Sequence, residues 1–253
     1  MTVKKLYDKM TERIPEELRE EWDNDGIMCS ADFSHEVNNV LITLDVTAEI
    51  VDYAIGRNFD LIISHHPLIF KPIGSVTEEN HVARKIINLI SNNVSVFSFH
   101  TRADKVLGGV NDILATKFGL TDVEVFGEGG IGRIGTLPEE SDLPVFADLV
   151  KLQLGADAVR IANAYTPVKR VAIVGGDGKD MVADAIKAGA DTFVSGRISY
   201  NIMEEASERA INLIEAGHYF TEQPVTEFFS SLVASIDGNA YIEIADSNMI
   251  ETV

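Results

Sequence analysis

Hydrophobic and polar positions follow helical and strand periods along most of the chain. At the N-terminus, Val3, Leu6, Met10 and Ile14 have helical spacing, and Pro15 predicts a break between two short helices. Further helices are predicted at residues 48–56, 78–91, 108–119, 144–154, 181–188, 203–208 and 221–235. Strands are predicted at residues 39–44, 61–63, 94–99, 123–126, 131–137, 159–162, 170–174, 192–194, 211–215 and 240–245. The repeated strand–helix–strand order predicts an α/β layered fold.

The strand predicted at residues 61–63 ends in an unusual way. Two adjacent histidines, His65 and His66, follow it and are themselves followed by Pro67, which cannot continue a sheet ladder. The pleat breaks at such a strand end, so both imidazoles can turn toward one crevice. The residues alone leave two interpretations open: a metal-binding or catalytic pair, or two histidines that cap a strand edge in solvent.

Two other predicted strands end in the same pattern. The strand at 94–99 leads to His100, with Asp104 four residues later, and the strand near 214 leads to His218, with Glu222 four residues later. We expect aligned parallel strands to bring the three ends together, because open α/β sheets bind ligands at the carboxyl ends of their strands. A mixed set of imidazoles and carboxylates suits a borderline divalent cation, and paired cations of this kind catalyse hydrolysis.

Composition and charge narrow the classes of function. The 253 residues carry a formal net charge of −19, which disfavours generic binding to nucleic acids or anionic membranes. The single cysteine, Cys29, excludes an intramolecular disulfide and a thiolate cluster, so imidazole and carboxylate must hold any metal. We expect Cys29 to be a small buried side chain and the only tryptophan, Trp22, to pack in the core. The N-terminus has no signal-peptide pattern and no apolar run is long enough to span a membrane, so we expect a cytoplasmic protein.

Two glycine-rich runs are weaker candidates for ligand-binding loops. Residues 127–132 match the spacing of a dinucleotide-binding loop, but a β run follows where that motif requires a helix. Residues 175–178 lie between a strand and a helix, and we interpret them as a turn of close backbone approach that could also contact a substrate phosphate.

These motifs resemble those of a known family, the Nif-three-like dinuclear-metal proteins, which are also labelled GTP cyclohydrolase 1 type 2 homologues. The resemblance covers essentially the whole chain and rests on residues 22–26, 63–67, 99–104, 108–112, 174–178 and 217–222. The chain resembles the short form of the family, which lacks a central insertion.

The resemblance implies a site and an architecture. It implies two divalent metal ions (iron, zinc, manganese or nickel) with Glu222 or Asp104 bridging, and His100 in the site wall as a candidate general base. The implied ligands are His65, His66, Asp104, His218 and Glu222. The implied fold has two α/β lobes, residues 1–104 with 221–253 and residues 105–220, with the dinuclear site in the cleft between them. The implied assembly is a homohexamer, a trimer of dimers.

The chain departs from the family pattern at three positions. Arg197 and Asn201 stand where many relatives have an acid and a histidine, and Arg102 stands where asparagine is usual. The favoured function is hydrolysis of a small phosphorylated or nucleotide-like substrate, with Arg102 and Arg197 as candidate phosphate contacts. The alternative is a non-enzymatic metal-binding adaptor or regulatory scaffold, which Arg197 and Asn201 favour. The acidic surface does not attract a triphosphate, so we do not expect GTP cyclohydrolase activity.

Overall fold

A computed structural model describes residues 1–252 of the chain. The helices are α1 (Val3–Thr11), α2 (Ala48–Gly56), α3 (His81–Ser91), α4 (Thr101–Lys105), α5 (Val110–Lys117), α6 (Leu143–Leu154), α7 (Val182–Lys187), α8 (Tyr200–Glu204), α9 (His218–Glu222) and α10 (Val225–Ile236). The strands are β1 (Gly26–Cys29), β2 (Asn39–Thr43), β3 (Leu61–Ser64), β4 (Ser95–Ser98), β5 (Thr121–Phe126), β6 (Gly132–Ser141), β7 (Arg160–Ala162), β8 (Val168–Val174), β9 (Thr192–Ser195), β10 (Asn212–Glu215) and β11 (Tyr241–Ile244).

The described residues divide into two units, each with its own sheet. The first unit comprises Met1–Val106 and Val225–Met249, and the second comprises Leu107–Pro224 and the described residues from Ile250 onward. This confirms the predicted class, an α/β fold with two sheets, whereas the lobe boundaries at residues 104 and 221 stay a prediction. No helix within residues 1–252 combines the length and hydrophobicity that a membrane crossing needs.

The first unit is built on a five-stranded sheet of order β1-β4-β3-β2-β11. The central strands β2, β3 and β4 are parallel, β11 runs parallel to β2, and β1 is antiparallel to β4. All four residues of β3 and of β4 are buried, as expected for parallel strands covered on both faces. The core on one face packs Leu41, Ile62 and Val96 against apolar residues of α2 and α3.

The second unit is built on a six-stranded sheet of order β5-β6-β8-β9-β10-β7. Its three central strands β8, β9 and β10 are parallel, and β5, β6 and β7 extend it in antiparallel pairs. Ala172, Phe193 and Leu213 of the parallel strands are fully buried in its core together with Val182 and Ala185 of α7.

The structure differs from the predicted elements in several places. Strand β1 was not predicted, because its four residues begin with a glycine and show no alternation. Helix α8 begins at Tyr200 and ends at Glu204, earlier than the predicted helix at 203–208. Strand β10 lies in the second sheet, so the expectation that one set of aligned parallel strands collects all three histidine ends is wrong.

The expectation that Trp22 packs in the core is also wrong. Its side chain lies in the turn before β1 and is 63% exposed. The turn itself was predicted, but a lone tryptophan in a turn carries no periodic signal that would tell an exposed ring from a buried one.

Cys29 is buried as predicted, with 9% of its surface exposed. Burial raises the pKa of its thiol to about 12, so almost none of it is thiolate at pH 8. We expect a thiol-specific disulfide reagent to react with the native protein at least about 100-fold more slowly than with urea-unfolded protein. A native rate equal to the unfolded rate would contradict this placement.

Candidate metal centre

Strand register in the first unit brings three histidines together. Strands β3 and β4 are parallel neighbours with Ser64 opposite Ser98, so His65, one residue past Ser64, and His100, two residues past Ser98, leave the same edge of the sheet. His66 follows on the same loop. Each of the three side chains offers a ring nitrogen, and these nitrogens all lie within 4.8 Å of one another. We call His65, His66 and His100 the histidine cluster.

Each ring of the histidine cluster is held through its Nδ1 atom. Nδ1 of His65 lies 2.9 Å from the carbonyl oxygen of Phe99, Nδ1 of His66 lies 2.7 Å from Asp45, and Nδ1 of His100 lies 2.8 Å from Asp23. All three partners are acceptors, so each Nδ1 carries the proton and each Nε2 carries the lone pair. Metal-binding histidines in proteins are oriented in this way by a carboxylate or carbonyl on the other nitrogen.

Neighbouring strands position the carboxylates that accept hydrogen bonds from the histidine cluster. Asp45 lies opposite His66 when the β2–β3 register, with Thr43 opposite Ser64, is continued past the strand ends. Asp23 precedes β1, which is antiparallel to β4 with Gly26 opposite Ser98, so it reaches His100 and Thr101. Sequence reasoning missed Asp45, although it directly follows the strand predicted at residues 39–44.

Asp23 is a strong acceptor in this arrangement. Burial alone would raise the pKa of its carboxyl, but hydrogen bonds from His100 and Thr101 and the charge of His100 outweigh this and lower the pKa to about 2. Asp23 is therefore ionised at neutral pH and fixes His100 with Nδ1 protonated.

Asp104 adds a carboxylate to the cluster from helix α4. The helix begins directly after His100, and Asp104 lies in its first turn with 7% of its surface exposed. Its Oδ1 atom lies 3.6 Å from Nε2 of the fully buried His65. The first unit therefore places three of the five predicted ligands, His65, His66 and Asp104, beside His100.

The other two predicted ligands lie together on the second unit. His218 and Glu222 are the first and last residues of α9, one helical turn apart, and Nε2 of His218 lies 2.9 Å from Oε2 of Glu222. His218 is exposed, whereas Glu222 is 4% exposed. We call these two residues the His218–Glu222 pair.

The glycine turn at residues 175–178 packs directly on the His218–Glu222 pair. Gly176 has a φ of +63°, and a Cβ atom there would lie 2.1 Å from Oε1 of Glu222 and 3.3 Å from Nε2 of His218. The backbone nitrogen of Gly176 donates to the hydroxyl of Thr221 at 3.1 Å. This is the close approach that the sequence predicted, and its neighbour is a predicted ligand.

We expect Gly176→Ala to lower metal affinity at least about tenfold, because the methyl group must displace the Glu222 carboxylate. Gly189→Ala is the matched control: Gly189 has a φ of +84°, but a Cβ atom there meets nothing within 4 Å. Both variants should lose about 1–2 kcal/mol of stability from left-handed strain. Equal metal affinity of the two variants in a calorimetric titration would show that Gly176 does not position Glu222.

Arg102, a candidate phosphate contact, lies fully buried in the first unit. Its guanidinium donates to Asp25 at 3.0 Å, to the Ile14 carbonyl at 3.1 Å and to the Tyr7 hydroxyl at 3.3 Å, and it stacks on the Phe99 ring at 4.5 Å. These contacts argue against a direct contact with substrate, and we assign Arg102 a structural role. The sequence could not show this, because its partner Asp25 is 77 residues away.

Arg197, the other candidate phosphate contact, is exposed. Its side chain is 68% exposed, and Nη1 lies 3.8 Å from Asp177 of the glycine turn. A pair this exposed is weak, so an incoming anion can displace it at low cost. The prediction that Arg197 contacts a phosphate stays a prediction. Asn201 lies exposed in α8.

The donor atoms of the site are of the types that bind a divalent cation. Imidazoles with oriented Nε2 atoms and buried carboxylates are ligand types that zinc, iron, manganese and nickel share. In the first unit, the buried imidazole of His65 lies beside the Asp104 carboxylate. In the second unit, the buried carboxylate of Glu222 lies beside the His218 imidazole. These histidine and glutamate groups could hold a metal ion.

Comparisons with known proteins point to one family. The family model described as Duf34/NIF3 (NGG1p interacting factor 3) matches residues 1–252. A Clostridium perfringens protein named GTP cyclohydrolase 1 type 2 homolog is 35% identical over 218 residues, covering 83% of both chains. One of the same name from Clostridium acetobutylicum is 32% identical over 232 residues, covering 88% of this chain and 86% of that one.

Solved structures show the same fold. A Bacillus cereus protein related to NIF3 has a TM-score of 0.89 at 22% identity, and a Staphylococcus aureus hypothetical protein has a TM-score of 0.89 at 26% identity. Each comparison covers 100% of this chain and 99% of the other. The chain belongs to the Duf34/NIF3 family.

Proposed function

We propose that the chain is a metal-dependent hydrolase of a small phosphorylated or nucleotide-like substrate. The observation that carries the proposal is the common orientation of the histidine cluster, with every Nδ1 atom bonded to an acceptor and every Nε2 atom left as the basic nitrogen. A histidine that merely caps a strand edge needs no such shared orientation.

The proposed centre combines the groups of both units. Its ligands are His65, His66 and Asp104 of the first unit and His218 and Glu222 of the second, which would meet in a cleft between the lobes. Two divalent cations are proposed there, drawn from iron, zinc, manganese and nickel. Bound cations would activate water and polarise the bond to be cleaved.

His100 is the proposed general base. Its Nδ1 proton is bonded to ionised Asp23, so the Nε2 atom is the one that can accept a proton. Its ring centroid lies 5.3 Å from that of His65 and 5.7 Å from that of His66, so the base lies beside the proposed ligands. Asp23 would position this base without contacting the substrate.

Turnover on a panel of phosphomonoesters, phosphodiesters and nucleotides tests the proposal. We expect the metal-loaded protein to hydrolyse at least one of these classes, and His66→Ala to abolish that turnover with the assembly unchanged. Absence of turnover on every class, with the metals bound, would instead favour the metal-holding scaffold. Asp52→Ala, at an exposed position of α2, is the control that should keep full activity.

The GTP cyclohydrolase activity named in the relatives is not part of the proposal. Arg102 is fully bonded inside the first unit, and the net charge of −19 gives no general attraction for a triphosphate. We expect GTP incubated with metal-loaded protein to release no formate. Formate release that depends on metal and is abolished by Glu222→Ala would contradict this expectation.

We also propose a homohexamer, a trimer of dimers. Light scattering should give about six times the chain mass of 27.7 kDa. A mass equal to one chain would contradict the proposal.

A further inference from the structure

Three aromatic rings of the first unit form a corner next to the histidine cluster. Trp22, Phe70 and His100 have ring centroids 6.1–6.2 Å apart, and the angles between their planes are 75°, 81° and 90°. The three rings are thus nearly perpendicular to one another. We call them the aromatic corner. Trp22 is 63% exposed and Phe70 is 45% exposed, so two of its three rings present apolar surface to solvent.

The aromatic corner is held in place by side-chain hydrogen bonds of the two residues that follow Trp22. The amide of Asn24 donates to the carbonyl of Ile69, which ties the Trp22 turn to the segment that carries Phe70. Asp23 accepts from the backbone and hydroxyl of Thr101 at 3.1 and 2.7 Å, which ties the same turn to the start of α4. A ligand would therefore meet a preorganised surface and would not have to order a loose turn.

Packing does not explain the exposure of these rings. An indole in a well-held turn gains stability by burial, and this one leaves about two thirds of its surface in water. Perpendicular rings leave flat faces open, and such faces favour another aromatic ring in stacked or edge-to-face contact. Stacking on tryptophan accepts any nucleobase, because every base has a π-face.

We propose that Trp22 and Phe70 form a stacking subsite for the nucleobase of a mononucleotide. The inference rests on the proposed function, because the bound ring would belong to the substrate of the metal centre. His100 belongs to both the aromatic corner and the histidine cluster, so a base on Trp22 places its ribose phosphate beside the imidazoles. The net charge of −19 opposes a long polyanion and is compatible with one phosphate.

The single tryptophan of the chain reports directly on this subsite. Adenosine 5′-monophosphate should quench its fluorescence saturably, in metal-free or metal-loaded protein, when excited at the red edge where the base does not absorb. Ribose 5-phosphate, which has the same phosphate and sugar without the base, should leave the emission unchanged. An equal response to both ligands, or none to adenosine monophosphate in either metal state, would overturn the inference.

Substitution of Phe70 tests the aromatic corner while keeping the reporter. Phe70→Leu should weaken nucleotide binding about two- to tenfold, because it removes the edge-to-face partner of Trp22. Phe33→Leu is the matched control: Phe33 is 52% exposed in the same unit, and its carbonyl accepts from the Lys4 backbone at the start of α1. Identical affinities of the two variants would count against the subsite.

Binding measured without fluorescence completes the test. In equilibrium dialysis, Trp22→Leu should lower the affinity for adenosine monophosphate about ten- to hundredfold. Metal content is measured on the same samples. Wild-type protein that holds its metals but does not bind adenosine monophosphate would overturn this inference alone, and wild-type protein that binds the nucleotide but holds no metal would overturn the proposed hydrolase alone.

Discussion

Replacing Arg102 with methionine should lower the free energy of unfolding by about 3–5 kcal/mol, the cost of leaving a buried charge without its partner. Arg102 is fully buried, and Asp25, its ion-pair partner at 3.0 Å, is 7% exposed. Methionine retains much of the apolar contact with Phe99, so the loss reports on the guanidinium and not on a cavity. Urea unfolding of both proteins measures the difference.

The effect should depend on pH in a definite direction. Burial raises the pKa of Asp25, and Arg102 opposes that rise. Without the guanidinium the folded-state pKa rises further, so folded Asp25 binds a proton more tightly than unfolded Asp25. The variant therefore loses stability as pH rises through the folded-state pKa of Asp25. The difference in free energy of unfolding between wild type and variant should shrink as pH falls from 7 toward 5.

Two further variants control this prediction. Arg57→Met removes an arginine from the same unit whose side chain is 57% exposed and lies over the Tyr53 ring at 5.5 Å, and it should cost less than about 1 kcal/mol. Arg102→Met combined with Asp25→Asn should recover part of the loss, because the unpaired charge is gone. Equal costs for the Arg57 and Arg102 variants would contradict the structural role of Arg102.

Replacing Glu222 with glutamine should lower metal affinity at least about 100-fold, more than the loss of a residue that only orients a ligand. The substitution keeps the shape of the buried side chain and removes its charge. Glu227→Gln, at an exposed position of α10, is the matched control and should bind metal normally. Calorimetric titration of the metal-free proteins gives both affinities.

The stability of the metal-free Glu222→Gln protein distinguishes the loss of a metal ligand from a loss of the fold. Thermal unfolding without metal should be the same as for wild type or slightly higher, because burying a charge is costly. Unchanged metal affinity in a correctly folded variant would remove Glu222 from the centre.

Much of the site was predictable because its residues follow strand ends. The apolar run before His65 and His66 identified β3 from local sequence alone, and the strand before His100 was equally clear. The residues that orient the cluster were harder to find. Asp45 is one of 40 acidic residues, and only the register of β2 against β3 singles it out.

The failure to predict strand β1 explains why the sequence did not show the roles of Arg102 and Trp22. Once β1 is antiparallel to β4, the register places Asp23 beside His100 and Asp25 beside Arg102. Without β1, Arg102 looks like a free cation near the site and Trp22 looks like a core residue. Long-range pairing of a four-residue edge strand leaves too little periodicity in the sequence to be detected.

The measurement that tests the central claim most directly is the metal content of the wild-type protein, purified without an affinity tag or chelator. We expect elemental analysis to find two divalent ions per chain, and fewer than half as many in His65→Ala protein of unchanged oligomeric mass. Wild-type protein that holds no metal, and takes up none on reconstitution with zinc, iron, manganese or nickel, would contradict the proposed metal centre.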